Sequence, residues 1–408
     1  MRKRKIKKNK PMFKKRRSPA RTALNVVLVA VLLLGIAFLG YSVGKPIMEF
    51  VQGRENRPAR TDTDADIEDP VINNPVTTPP TATEEVTTTP APEPDPEPQP
   101  LLGNKLLFVT IPASGTFDAY LDQRIEYASQ NSYYGIVLEL IADGGSIYYN
   151  TSNERAISAY AVNTASQSGL IDLTSAVQKI TDAGLLPYAR ISMLTDHKLS
   201  LVDKSVCYLF EDSISSWYDN SAAAGGKPWM SAFSESAREY ISSLVIEMSD
   251  AGFAGIIAGE IKFPPFRNSD LNYVGAIVKS PTRYTALTDF SNAVQDALGG
   301  AKSYAIEVNA KDMIAGTCEV LRDPSLLHCS TVYVRYDSIE IGTRIVRSDD
   351  TEVSYLGLSE TDKVNVVFKS VSAMLSGGDI TIIPAVSDES LITTLVELGY
   401  DERMIIVY

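Results

Sequence analysis

Cysteine and histidine are scarce in this chain, with three Cys and two His among 408 residues. Cys207, Cys318 and Cys329 are too few for a disulfide scaffold, and no Cys-x-x-Cys pair is present to hold zinc or carry redox chemistry. Cys318 and Cys329 are near enough in sequence to pair across a short loop in an oxidising compartment, or to remain buried free thiols. His197 and His328 lie far apart in sequence, which argues against a His-rich metal site, and no Gly-x-Ser-x-Gly elbow is present to build a serine triad. The sequence therefore implies no metal and no cofactor. A Gly-x-Gly-x-x-Gly turn is also missing after the first apolar strand, where Pro112-Ala-Ser-Gly-Thr stands, so a doubly wound nucleotide-binding sheet has little support.

Acids are absent from residues 1–21, which carry twelve Lys/Arg. Directly after them runs the apolar segment 22–44, long enough as a helix to cover roughly 30 Å, the hydrocarbon thickness of a bilayer. It exceeds a signal-peptide core and continues into Tyr41-Ser-Val-Gly-Lys-Pro without an Ala-x-Ala-like site, which predicts a retained transmembrane helix. The basic cluster before it places residues 1–21 in the cytoplasm and the rest outside. The remaining 26 Lys/Arg face 50 Asp/Glu, a net charge near −24 on the exported part. Such a surface repels nucleic acid, and the basic tail is explained by topology and by contact with anionic lipid.

Residues 45–104 hold little to bury: Pro-Val-Thr-Thr-Pro-Pro-Thr gives way to Ala-Pro-Glu-Pro-Asp-Pro-Glu-Pro-Gln-Pro. This is the composition of an extended, disordered linker with a reach on the order of 100 Å. The remainder, 105–408, is long enough for one large domain with a full core.

Within that domain, short β-branched runs at 106–111, 135–140, 186–191, 255–262, 303–308, 331–336, 379–384 and 404–408 predict eight strands. Helical periodicity falls between them at 118–130, 172–183, 234–251, 283–298, 360–375 and 389–398. Asp172 and Ser234 stand where N-caps belong, and Gly184, Gly252 and Gly399 close helices just before strands. Alternating β and α elements with eight strands predict an α/β fold, a (β/α)8 TIM-like barrel.

In such a barrel chemistry sits at the carboxyl ends of the strands. The polar residues that fall there are Glu139 and Asp143, Arg190, Glu260 and Lys262, Glu307 and Asn309, and Arg335 and Asp337. Paired carboxylates serve glycoside hydrolysis, in which one acid protonates the leaving oxygen and another acts as nucleophile or base. Glu139, Glu260, Glu307 and Asp337 are the candidate catalytic residues; Arg190, Lys262, Arg335, Trp217 and Trp229 are candidates for binding substrate. Trp217 and Trp229, the chain's two tryptophans, share the long loop after strand three, where they either stack on sugar rings or staple that loop to the barrel. An Arg within an apolar strand must be neutralised, and Glu139 is the natural partner of Arg190.

Residues 173–264 resemble a bacterial family of glycosyl hydrolase domains of unknown specificity, relatives of the α-amylase-like barrels. Gly184-Leu-Leu-Pro-Tyr-Ala-Arg190-Ile is similar to the family's Gly-Ile-Tyr-Pro-Ile-Ala-Arg-Ile, and Trp217-Tyr-Asp219 and Gly226-Lys-Pro-Trp229 resemble its Trp-x-Asp and Gly-x-x-Trp-x-Asp-Pro stretches. Gly252-Phe-Ala-Gly-Ile-Ile-Ala-Gly259-Glu260-Ile-Lys262-Phe-Pro264 matches Gly-Phe-Asp-Glu-Ile-Gln-Phe-Asp-Tyr-Val-Arg-Phe-Pro. The resemblance implies a TIM barrel and O-glycosyl hydrolysis. It also exposes departures: Gly259 replaces the strand-four Asp, Ser231-Ala232 replaces Asp-Pro, and Glu139 replaces the strand-two Asp. Glu260, next along the strand, would face the opposite side and could substitute only through a local bulge; otherwise it forms a salt-bridged pair with Lys262.

Three readings follow. The domain cleaves a polysaccharide or the glycan of peptidoglycan; it binds such a glycan without cleaving it; or it is a protein-docking platform of the cell envelope.

Overall fold

The structure, a computed structural model, describes residues 105–408 apart from 113, 163–168, 212–213, 273, 301, 376–378 and 402–404. The basic tail, the apolar segment 22–44 and all of the linker before residue 105 lie outside the described residues. Among those described, no helix is long and apolar enough to cross a membrane.

Eight parallel strands close on themselves: β1 (Leu106–Val109), β2 (Gly135–Ala142), β3 (Leu186–Ser192), β4 (Gly255–Gly259), β5 (Ser303–Asn309), β6 (Thr331–Tyr336), β7 (Thr381–Val386) and β8 (Ile406–Val407). β1 joins β2 through Leu106 opposite Gly135 and β8 through Leu106 opposite Ile406, so the sheet has no open edge. A packing helix follows each of the first seven strands, α1 (Phe117–Gln130), α2 (Leu173–Asp182), α3 (Glu235–Asp250), α4 (Thr285–Asp296), α5 (Ala310–Ala315), α6 (Glu360–Leu375) and α7 (Ile392–Glu397), with short extra helices at Glu154–Ser158, His197–Val202 and Ser338–Ile341. The expected TIM-like barrel is what the chain forms.

The alternation of each strand divides the core in two. Leu106, Val137, Tyr188, Ile257, Tyr333 and Ile383 fill the barrel interior, while Leu107, Ile136, Leu138, Ile256 and Val332 face the helices. Each fully buried side chain of this size contributes about 1.5–3 kcal/mol. Helix α3 supplies Ile241, Leu244, Val245 and Met248, a stripe at helical spacing. The cap residues read from sequence are in place: Asp172 accepts from Ser175 N at 2.8 Å and Ser234 from Ala237 N at 3.1 Å. Gly255 permits close strand packing, since a Cβ there would lie 2.2 Å from Ser303 Oγ.

Three differences from the sequence reading have local causes. β4 was expected to reach Lys262 but stops at Gly259, because Glu260 takes φ +57°, in the left-handed region. α5 was not expected; it is only six residues long, capped by Asn309 accepting from Lys311 N at 2.8 Å and closed by left-handed Gly316. α7 is shorter than its periodicity because a 3-10 turn, Glu389–Leu391, takes its first residues. The three cysteines are free. Burial pushes the Cys318 thiol up to about 12 and Cys329 up to about 11.

Candidate active site

The carboxyl-end layer of the barrel is polar where the layers below are apolar. Glu139 on β2, Arg190 on β3, Glu307 on β5 and Arg335 on β6 continue the same inward-facing alternation that places Val137, Tyr188, Ala305 and Tyr333 in the interior. Arg190, 5% exposed, is the hub. Its Nη1 donates to Glu139 Oε1 at 3.2 Å and to Asp143 Oδ1 at 3.1 Å, and its Nη2 to Glu307 Oε1 at 3.3 Å. Tyr408, just past β8, donates from its hydroxyl to the other oxygen of Glu307 and packs its ring 4.3 Å from that of Phe108.

These contacts set the proton affinities. Burial opposes charge on Arg190, but Glu307, Asp143, Tyr408 and Glu139 outweigh it and hold the guanidinium above its ordinary value. Burial raises the Glu139 carboxyl, with Asp143 and Glu307 adding to the rise and Arg190 and Arg335 opposing it. Burial and the Glu307 carboxylate raise the Tyr408 phenol well above its usual range.

Gly259 explains how Arg190 fits. A Cβ at this inward position would stand 2.7 Å from Nη2 and 3.0 Å from Nε of Arg190. The Nε itself is buried without a hydrogen-bond partner among the described residues. The chain then kinks at Glu260, whose left-handed backbone costs a non-glycine residue about 1–2 kcal/mol. This kink, rather than a bulge within the strand, frees Glu260 from the alternation that would have turned it away. Its carboxylate pairs with Lys262 at 2.5 Å and lines a cavity of about 660 Å³ together with Glu307, Lys262 and Trp229.

The tryptophans take different positions. Trp217 is 1% exposed, packed edge-on to Tyr208 and against Phe266, so it staples the long loop and offers no face to a ligand. Trp229 is 8% exposed and lines the cavity, its Nε1 donating to Asp219 Oδ2 at 2.9 Å and its ring edge-on to His197. Asp219 also accepts from Lys227 N at 2.8 Å, fixing the loop that carries Trp229.

Glu139, Arg190 and Glu307 are therefore brought together, and Glu260, Lys262 and Trp229 share a cavity with Glu307. Arg335 stands at the ring's edge, bound to Glu340 at 3.3 Å, with Glu307 and Glu340 raising its pKa against burial. Asp337 caps the short helix Ser338–Ile341, accepting from Ile339 N at 2.7 Å, which is a structural use of its carboxylate. Sequence reasoning missed Tyr408, although alternation from inward-facing Ile406 would have placed it in the ring. It also missed Arg283, Asp312 and Glu319 on the cavity wall, which come from loops and helices that strand-end counting does not reach.

Fold and inward carboxylates together define a glycoside-hydrolase-like (β/α)8 barrel. The chain belongs to the DUF4015 family, described as a "putative glycosyl hydrolase domain", whose sequence pattern matches residues 107–325. Among solved structures it is similar to a hypothetical protein from Ruminiclostridium thermocellum ATCC 27405, at 16% identity over 48% of this chain and 95% of that one, with a TM-score of 0.40. It is similar to the glycoside hydrolase domain of PelA from Pseudomonas aeruginosa, at 13% identity over 75% of this chain and 94% of that one, TM-score 0.40. A third likeness is to the β-N-acetylhexosaminidase of Bacteroides fragilis NCTC 9343, at 12% identity over 70% and 51% of the two chains, TM-score 0.43. No curated protein matches the sequence.

Proposed function

We propose that this protein is a glycoside hydrolase acting on cell-envelope or environmental polysaccharide, with its barrel held outside the membrane by the helix expected over 22–44. The observation that carries the catalytic part is the pair Glu139 and Glu307, bound to the two arms of one guanidinium at 3.2 and 3.3 Å. That shared partner keeps their nearest oxygens no more than about 9 Å apart, under the roughly 9.5 Å upper limit for two-carboxylate hydrolysis. Glu139, its carboxyl raised chiefly by burial, is the proton donor to the leaving oxygen. Glu307, which accepts from Arg190 and Tyr408 and lines the cavity, is the nucleophile or base on the other side of the scissile bond. Glu260 borders the same cavity and binds substrate hydroxyls with Lys262.

A second reading, binding without cleavage, is favoured by one observation: the inward position on β4 is Gly259, where the family pattern has Asp, and Arg190 occupies the space beside it. Incubation with purified wall glycans and with α- and β-glucans, scored by reducing-end release, separates the two. Release that falls at least about a hundredfold in both Glu139→Gln and Glu307→Gln supports the hydrolase. Binding without release makes the barrel a glycan-recognition module, and neither binding nor release rejects both.

A further inference from the structure

The cavity beside Glu307 has a charge arrangement that selects among sugars. Four carboxylates line it, Glu260, Glu307, Asp312 and Glu319, against two cations, Lys262 and Arg283. Both cations are already engaged within the wall. Lys262 lies 2.5 Å from Glu260, and Arg283 grips Glu319 through Nε and Nη2, at 2.7 Å for its shortest contact, while its Nη1 donates to Val278 O. Glu307 is met by Arg190 from inside the barrel. Asp312 remains: it is half-buried on α5 and has no ion pair among the described residues, its Oδ1 accepting only a long 3.4 Å bond from Thr317. Trp229, Pro265 and Phe266 also line the cavity, and so does Phe263, whose ring already carries the Arg283 guanidinium 5.0 Å from its centre. Aromatic rings attract an ammonium group and the uncompensated carboxylate reinforces that attraction. Among the described residues that line the cavity, an anionic sugar would find no cation that is not already paired with a carboxylate.

We propose that this cavity selects glycan units bearing a free amino group, unacetylated hexosamine, over N-acetylated units and most strongly over uronic acids, with Asp312 as the residue that reads the charge. The proposal rests on the carbohydrate reading above and names the substrate class for the same site.

The chain's two tryptophans make it testable without turnover, because Trp229 lines the cavity and Trp217 packs behind it in the same aromatic cluster. The full-length chain is titrated with tetramers of glucosamine, N-acetylglucosamine and galacturonate, following tryptophan fluorescence. The glucosamine tetramer is expected to bind about threefold to tenfold tighter than the N-acetyl tetramer, a preference that salt weakens. Asp312→Asn is expected to abolish the preference while leaving the N-acetyl tetramer bound. Lys262→Met, which removes a cation from the wall, is expected to increase it, so a loss of fold cannot imitate both results. Galacturonate binding as tightly as glucosamine, or a preference that survives Asp312→Asn, overturns this selectivity and leaves the carbohydrate reading standing. Failure of all three tetramers to bind also overturns the selectivity, while the carbohydrate reading is decided separately by the wall glycans and the α- and β-glucans above.

Discussion

The guanidinium of Arg190 occupies the space that a side chain on Gly259 would need, 2.7 Å from the position of its Cβ. The glycine on β4 and the arginine on β3 are thus one feature: the space that would admit a strand-four carboxylate is taken by the cation that gathers Glu139, Asp143 and Glu307.

Gly259→Ala tests this packing. Arg190 is a flexible side chain in isolation, but three carboxylates pin its end, so the methyl group displaces it from its partners. Overpacking of this kind costs about 1–3 kcal/mol, expected as a lower denaturant midpoint with an unchanged slope.

Arg190→Met leaves the buried Glu307 and the neighbouring Glu139 without their cation. Removing one partner of a buried ion pair costs about 3–5 kcal/mol at neutral pH. The deficit is expected to shrink as the pH falls and the stranded carboxylates take up protons, whereas a purely steric loss would be the same at both pH values. Urea unfolding of variant and parent at pH 4.5 and 7 reads the difference.

Asp196 gives a pH dependence with a definite sign. It caps the short helix His197–Val202, accepting from Lys198 N and Leu199 N at 2.9 Å each, and Gly145 packs so close that a Cβ would lie 2.1 Å from its Oδ1. Burial pushes its carboxyl up to about 6, above its ordinary 3.8, although those backbone bonds oppose the shift. The folded state therefore holds the proton more tightly than the unfolded state, and stability falls as pH rises from about 4 through about 6, by on the order of 3 kcal/mol. Asp196→Asn keeps the cap and removes the titration, so its stability relative to the parent is expected to rise over that interval and level off above it.

The thiols are expected to be unreactive. Burial raises Cys207, Cys318 and Cys329 alike, leaving little thiolate at neutral pH. Cys207 and Cys329 are buried, so their modification by a maleimide or an aromatic disulfide at pH 7.5 should proceed only as fast as the protein opens, whereas half-buried Cys318 on the cavity wall is held back by its raised pKa; rapid labelling of Cys207 or Cys329 in the native chain would contradict the burial described.

The barrel was legible from sequence because every level agreed: β-branched runs, helical periodicity between them, and caps such as Asp172 and Ser234 all point to one alternation. The pairing of Glu139 with Arg190 was legible for a related reason, since an arginine in an apolar strand requires a counter-charge. Glu260 was not legible in its actual role, because the left-handed kink that releases it from β4 leaves no mark in the pattern of polar and apolar residues. Glu307 as a shared partner of Arg190, and Tyr408 as its second donor, depend on which strands face each other across the barrel, and sequence spacing carries no record of that distance. Trp217 and Trp229 share one loop and similar surroundings in sequence, yet only three-dimensional packing buries the first in an aromatic cluster and leaves the second on the cavity wall.

The most direct measurement is a structure of the Glu307→Gln chain with an oligosaccharide bound. A sugar unit is expected in the cavity between Trp229 and the end of β5, with a glycosidic oxygen within hydrogen-bond reach of Glu139 and position 307. An oligosaccharide bound elsewhere on the barrel, or one whose glycosidic oxygens stay beyond reach of Glu139, would contradict it.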